Sequence, residues 1–431
     1  MLIRFQAENY RSLSAPVELS MVAVDRDRPE ARDQDPLGES LVPVAAIYGP
    51  NATGKSNVVA ALAWLRAAVA WSLRSWDDGI PIDPFAFANG PREPVKFELE
   101  LTVKGVRFEY LLELDQDKVL YEALFHYPLR YRRRVFEREA QQLRFGQGVT
   151  NQAGIRELLT PRVLVLSVAR RFQVAELSRF VAQVLEMQVV GQLPPRTMGR
   201  LYRPIQMGRL GDQSATLRLF ETDVQEPLFG QAPDEGAWGS GARDRALAML
   251  RLADLGIDDV LIDYEEIGQT GNPRPVRRRV HLLHGVAGAQ EPLDLDQESA
   301  GTIAWFGLIG PSLQALHRGA VLIVDEIDAS LHPRLSAELI RIFHSPDLNS
   351  QGAQLVFTAH DTSLMSALNR DEIWLTDKRD DGSTVLGSLA EFAGERVRKS
   401  INFQAGYLSG RFGAVPQLDR ADLLRALGVI G

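Results

Sequence analysis

Cysteine is missing altogether from the 431 residues. Its absence removes disulfides, thiolate metal sites and cysteine nucleophiles from consideration, and it fits a reducing cytoplasm. Lysine is scarce, occurring only at positions 55, 96, 104, 118, 378 and 399 among 48 basic residues. The arginine excess tracks genome composition and carries little mechanism. No uninterrupted apolar stretch is long enough to span a bilayer, and the amino terminus lacks a signal-peptide pattern. The expected location is therefore cytoplasmic, with no membrane partner. Internal repeats and low-complexity tracts are absent, and without sustained heptads no long coiled-coil arm is expected. A positive surplus is lacking as well. The formal net charge of −8 argues against a wholesale nucleic-acid coat, yet a local basic patch leaves nucleic acid open as a partner. What is present, 45% hydrophobic and 24% charged residues, is the balance of a globular chain long enough for one large domain with an insertion, or for two domains.

Within that composition one segment is chemically explicit. Gly49-Pro50-Asn51-Ala52-Thr53-Gly54-Lys55-Ser56 spells a complete phosphate-binding loop. It follows the apolar run Val44 to Tyr48, which predicts a buried strand. It precedes Val58 to Trp71, whose alanine- and leucine-rich stretch without Pro or Gly predicts a helix. The glycines let the backbone wrap a phosphate chain closely, and successive N–H groups point at the anion. The helix N-terminus adds partial positive charge. Lys55 is expected to reach the β- and γ-phosphates and Ser56 to hold Mg²⁺, with Asn57 in the same contact set.

Around this motif the patterning divides the chain. Met1 to Met21 predicts a hairpin around Tyr10-Arg11-Ser12, and the charged segment Asp25 to Pro36 predicts an exposed loop. Phe97 to Val103 and Phe108 to Leu114 alternate about Lys104-Gly105, a strong antiparallel hairpin signal, with short strands expected to about Phe145. Residues 155 to 255 read as mostly helical, interrupted near Leu193 to Gly211 and Pro227 to Gly241; Val174 to Val190 is amphipathic. Ile257 to Ile267 and Val276 to Leu283 return to strand-like patterning.

A second motif cluster follows. Ala320-Val321-Leu322-Ile323-Val324 is a continuous apolar run, as suits a central parallel strand covered on both faces, and it ends in Asp325-Glu326. Asp325 is placed to meet Mg²⁺ through water and Glu326 to polarise the water attacking the γ-phosphate. Gln354 to Thr358 predicts another buried strand that delivers His360 at its end. Upstream, Glu298-Ser299-Ala300-Gly301-Thr302 precedes a helix expected from Ile303 to Leu316, so Ser299 and Gly301 can present a hydroxyl and N–H groups to a phosphate. One nucleotide does not need two such loops from one molecule. The economical solution is that the second serves the nucleotide of a neighbouring subunit.

This order of motifs resembles the ABC-type ATPases, in particular the SMC-like and OLD-like branch. The matches are Gly49 to Ser56, Ser299 to Thr302, Val321 to Glu326, Asp328 to Pro333 and His360, covering nearly the whole chain. The resemblance implies an α/β ABC/SMC-type P-loop ATPase head with an antiparallel β subdomain and a mostly helical insertion. It divides as residues 1–154, an insertion at 155–256, and 257–431. It further implies ATP and Mg²⁺ as cofactors, and a homodimer or higher homo-oligomer that sandwiches two nucleotides, each site completed by the partner's Ser299 loop. Asp328 would couple the two sites and His360 would sense the γ-phosphate. Glu298-Ser299-Ala300-Gly301-Thr302 departs from the transporter signature, which turns the reading away from transport. Asn9-Tyr10-Arg11-Ser12 resembles the branch's amino-terminal motif, with Arg11 near the nucleotide. Arg398-Lys399 and Tyr407 to Pro416 resemble the tail of the RloA-like bacterial ATPases, relatives of the AriA ATPase of PARIS anti-phage systems. Such proteins often stand beside a separate nuclease or effector subunit. No acidic cluster with Toprim spacing follows Thr376, and no Cys-x-x-Cys hook is present, so a nuclease is expected from another polypeptide.

Other features have plainer readings. His360 could be a core histidine, though its place after the third strand favours a sensor. His332 shapes the turn before Pro333. Arg130-Tyr131-Arg132-Arg133-Arg134 fits a nucleic-acid surface or a solvated strand edge, and Glu137 and Glu139 favour the edge. Arg277 to Arg279 and Arg411 stay undecided. The leading expectation is an ATPase whose ATP-driven dimerisation switches an effector in phage defence. The rivals are a DNA-binding repair-type ATPase and an ATP-dependent scaffold that sequesters a toxic subunit.

Overall fold

Alternating burial along five residues organises the molecule. In strand β5 (Val44–Tyr48), Ala45 and Ile47 enter one hydrophobic core, while Val44, Ala46 and Tyr48 enter the other. Successive side chains point to opposite faces of a strand, so a run apolar at every position sits between two layers. The computed structural model describes residues 1–34, 38–128, 131–147, 149, 152–172, 174–191, 213–221, 241–266, 276–286, 289–392 and 403–412.

Before β5 come β1 (Leu2–Glu8), β2 (Val17–Ser20), β3 (Arg32–Gln34) and β4 (Glu39–Leu41). After it come β6 (Val95–Val103), β7 (Val106–Leu114), β8 (Val119–Tyr127), β9 (Arg133–Glu139), β10 (Gln142–Phe145) and β11 (Gln188–Val190). The carboxy-terminal half adds β12 (Ile257–Glu266), β13 (Val276–Val286), β14 (Ala289–Asp294), β15 (Val321–Val324), β16 (Gln354–Thr358), β17 (Ile373–Lys378) and β18 (Thr384–Ser388). The central sheet runs β11-β15-β16-β5-β17-β18, parallel except for the β17–β18 hairpin. A seven-stranded antiparallel sheet, β10-β9-β8-β7-β6-β1-β2, covers one side. This is an α/β P-loop head with an antiparallel β subdomain, and it contains both predicted hairpins, β1–β2 and β6–β7.

The helix after the glycine loop runs Lys55–Ser75, longer at both ends than the apolar pattern predicts. Among the described residues it is the one helix long and apolar enough to cross a membrane, and 67% of that apolar window is buried inside the fold. Its Trp64 stacks on Trp76 and Phe97, with ring centroids 5.7 and 5.0 Å apart, and donates its indole N–H to the Pro81 carbonyl at 2.7 Å. Burying aromatic surface with its one donor satisfied locks the helix to the antiparallel sheet.

Residues 155–190, read from sequence as the start of a helical insertion, pack into this same core. Helices Gln152–Leu158, Val165–Ala169 and Ala175–Glu186 line it, and β11 joins the central sheet beside β15. The join is polar inside: fully buried Glu122 accepts from the N–H groups of Val165 and Leu166 and from Tyr110 Oη, with Arg138 at 3.8 Å. Burial raises the Glu122 pKa, and those donors with the guanidinium offset the desolvation. Helices Ser214–Phe220 and Ala242–Ala253 instead serve the second core with Ala300–Arg318 and Pro333–His344. Most of the interruptions predicted at Leu193 to Gly211 and Pro227 to Gly241 lie outside the described residues.

The exposed loop expected at Asp25 to Pro36 holds only in part where the segment is described: Arg26, Asp27, Pro29 and Asp33 are exposed, while other residues are tied into the fold. Arg28 is buried and pairs with Asp371 at 2.9 Å and Glu372 at 3.5 Å; Asp25 pairs with Arg370; Arg32–Gln34 forms β3. Its charges are matched by residues some 345 positions away, a pairing that local composition does not encode.

Candidate functional site

The glycine loop leaves the C-terminal end of β5 and enters the helix Lys55–Ser75 through left-handed Gly54 (φ 99°). A Cβ at Gly54 would collide with the hydroxyls of Thr384 and Ser12, so only glycine passes there. Gly49 likewise runs against Thr376, and Ala52 is left-handed without being glycine (φ 63°). Lys55, 5% exposed, lays its ammonium across the loop and donates to the carbonyls of Gly49 (2.9 Å) and Pro50 (3.0 Å). Burial lowers its pKa, and the carboxylates of Glu326, Asp325 and Asp328 oppose that shift.

A chain of side chains fastens the loop, and two of its members, Thr376 and Thr384, had no part in the sequence expectations. Asn57 Nδ2 donates to Ser12 Oγ (2.6 Å), Ser12 Oγ meets Thr384 Oγ1 (2.7 Å), and Thr384 donates to the Thr53 carbonyl (2.7 Å). Thr53 Oγ1 donates to the Pro50 carbonyl (2.8 Å) and meets Thr376 Oγ1 (2.6 Å), which donates to the Tyr48 carbonyl (3.2 Å). Thr376 stands on β17, next to β5, and Thr384 on β18, one strand further out, and no motif marks them. Thr384→Val keeps the shape and deletes the donor. It is expected to weaken nucleotide binding about fivefold, the equivalent of about 1 kcal/mol for one buried hydrogen bond. Titration with a fluorescent ATP analogue checks this; unchanged affinity would remove Thr384 from the loop's support.

The carboxylates arrive on β15. Asp325 Oδ1 accepts from Thr358 Oγ1 (2.7 Å), and the same hydroxyl accepts from the Glu326 N–H (2.7 Å). Glu326 is left-handed (φ 56°), a conformation costly for a non-glycine residue and held here by the Thr358 bond. It turns the Glu326 carboxylate outward, half-exposed, to within 3.9 Å of His360 Nε2. Asp328 Oδ2 accepts from both the His360 and Asp361 N–H groups, the first at 2.7 Å, which joins the segment after β15 to the segment after β16. His332 caps the helix Pro333–His344 by accepting from the Arg334 N–H, the turn role expected of it.

Asn51, Ala52, Gly54, Lys55, Ser56, Asn57, Glu326 and His360 line one cavity of about 660 Å³. Ser299, Gly301 and Arg11 are not in its lining. Exposed Ser299 caps the helix Ala300–Arg318 by accepting from Thr302 N (3.1 Å), and a Cβ at Gly301 would stand 3.0 Å from the Ser330 carbonyl. Glu298 is held by His284 Nε2 at 2.7 Å, an anchor from β13 that sequence patterning missed. Arg11 bonds Asp83 Oδ2 at 3.3 Å and lies over the Tyr10 ring, while its neighbour Ser12 reaches the loop. At the outer edge of β15, the Asp325 N–H donates to the Val190 carbonyl, and a Cβ at Gly191 would lie 3.1 Å from Asp325 Cβ.

For Mg²⁺ the donor set fits. Among the described residues no group of three or more His, Cys, Asp or Glu side chains could hold a metal alone. Magnesium keeps waters and takes one or two protein oxygens with substrate phosphates, which Ser56 and Asp325 would supply. Three arginines of the basic runs make ion pairs within the fold while staying partly exposed. Arg132 bonds Glu109 at 2.8 Å and lies 3.6 Å over the Phe125 ring; Arg134 bonds Glu137; Arg278 bonds Glu221. Arg130, Arg398-Lys399 and Gly413 to Pro416 lie outside the described residues.

Among protein families, the one described as "AAA domain, putative AbiEii toxin, Type IV TA system" matches residues 44–164 and 201–366, more than half of the chain. No curated protein matches. The chain is similar to a solved SMC head bound to the C-winged helix domain of ScpA, at 12% identity over 90% of this chain and 97% of that one, with a TM-score of 0.46. The SMC head domain from Thermotoga maritima is 13% identical over 90% and 98%, with a TM-score of 0.39. Likenesses this distant carry no argument about function.

Proposed function

The chain belongs to this AAA-domain family of P-loop ATPases, and on that premise we propose a Mg²⁺-dependent ATPase that closes as a dimer around ATP to switch a partner effector. The carrying observation is the single cavity that unites the glycine loop, Lys55 and Ser56 with Glu326 and His360. Lys55 and the loop N–H groups bind the phosphates; Ser56 with Asp325 would hold the cation, which would supply charge screening at the γ-phosphate. Glu326 orients the attacking water, and His360 reports on the γ-phosphate. Ser299, exposed and off the cavity lining, supports completion of each site by a second copy. Loss of the γ-phosphate would then remove the bridge between subunits. The family description names a putative toxin of a type IV toxin–antitoxin system; the separate effector rests on the phage-defence resemblance of the motifs.

Mixing two dead variants tests the shared site. Lys55→Ala and Ser299→Arg chains are each expected to be inactive. A heterodimer pairs the intact loop of one with the intact serine of the other, so an equimolar mixture should recover about a quarter of the parental rate. If the mixture hydrolyses ATP no faster than either variant alone, each site lies within one subunit.

A further inference from the structure

The tail residues Phe403 to Phe412 play no part in the site as built so far, yet they are folded against it. Phe403–Leu408 is helical and stops at left-handed Gly410 (φ 74°). The N–H groups of Gly410 and Arg411 donate to the carbonyls of Tyr407 (2.9 Å) and Gly406 (3.1 Å), which turns the chain back. Tyr407 and Phe412, 7% and 6% exposed, join the core that contains Leu364, Met365 and Leu368. The ring of Phe412 packs where a Cβ on Gly406 would fall, 2.6 Å from the nearest ring carbon. Gln404 Nε2 donates to Thr362 Oγ1 at 3.3 Å.

What this clasp grips is the 3₁₀ helix Thr362–Ala367. Six residues of 3₁₀ helix have little stability of their own and depend on what packs against them. Asp361 caps it by accepting from the Ser363 N–H (2.8 Å), and His360 precedes Asp361. On the inner side stands Tyr48, 1% exposed, the last residue before Gly49. Tyr48 Oη, Asp328 Oδ1 and Asp361 Oδ2 are buried without hydrogen-bond partners among the described residues. The Tyr48 hydroxyl is held well above its usual pKa by burial, then by Asp328, Asp361 and Tyr407. Glycine loop, Asp328 turn, switch segment and tail therefore meet at one buried node.

We propose that the clasp Phe403–Phe412 is a positioning element for His360. By holding Thr362–Ala367 it fixes the backbone bonds from His360 and Asp361 to Asp328, and so sets turnover rather than nucleotide affinity. The proposal rests on the ATPase reading above. A partner that draws the tail away would slow hydrolysis without touching the phosphate loop.

Gly406→Ala, which pushes Phe412 aside, and Phe412→Ala test this, with Phe412→Leu as the conservative control. Both disruptive variants should lower kcat on the order of tenfold, short of the hundredfold that an ångström-scale misplacement can cost. The KM for ATP and equilibrium ATP binding should stay at parental values. Hydrogen exchange should rise across residues 358–367 and remain unchanged across 49–57, and Phe412→Leu should recover most of the rate. An unchanged kcat with the tail released, or exchange at 358–367 that ignores Phe412→Ala, would overturn the proposal. So would a parallel loss of kcat, affinity and protection in the glycine loop, the mark of a merely structural role. Parental protein that binds ATP without hydrolysing it would overturn the ATPase reading alone, since the exchange measurement still decides the coupling.

Discussion

Glu326→Gln is expected to abolish turnover while leaving ATP bound. The carboxylate is half-exposed at the cavity and 3.9 Å from His360 Nε2, positioned by a left-handed backbone that Thr358 secures. Glutamine keeps the length, the polarity and that backbone, so the loop around it should not move. What it loses is the negative charge that, on the proposed mechanism, draws a proton from the attacking water. General-base contributions are typically on the order of 10² to 10⁴ in rate, and kcat should fall within that range. If two copies clasp the nucleotide, the variant should also accumulate as an ATP-dependent dimer by size-exclusion light scattering. Hydrolysis at the parental rate would refute the assignment of Glu326.

Lys55→Ala should fail earlier, at binding. Its ammonium is the one lysine group in the cavity lining, and it also ties the Gly49 and Pro50 carbonyls. Hydrogen bonds to charged groups are worth about 1.5–3 kcal/mol, so ATP affinity should drop roughly ten- to a hundredfold. Isothermal titration with Mg²⁺·ATP measures it. Binding within a factor of two of the parent would mean that the phosphates lie elsewhere. The two variants separate cleanly, since one holds nucleotide without spending it and the other scarcely holds it.

Where the sequence reading was strong, the signal was local. A glycine loop between an apolar strand and a helix needs no distant partner to be recognised, and β5 with the helix Lys55–Ser75 formed as patterned. The hairpin β6–β7 was legible for the same reason, its alternation meeting a Lys-Gly turn. The reading weakened where polarity was taken for exposure. Arg28 and Asp25 look like a solvated loop until Asp371, Glu372 and Arg370 are brought beside them. Buried Arg138 and Glu122 were equally silent, because a charge deep in a core is explained only by its partners.

By itself, then, the sequence determined the phosphate loop, the Asp325-Glu326 strand end and the place of His360 just after the next strand, because each is a run of neighbours whose chemistry and period are readable in place. Only the tertiary structure decided what holds them. Ser12 meets Thr384 across 372 positions, Asp328 gathers the N–H groups of His360 and Asp361, and the tail closes over Thr362. Such bonds join short polar side chains with no spacing rule between them. They become visible once parallel strands have set the loops side by side.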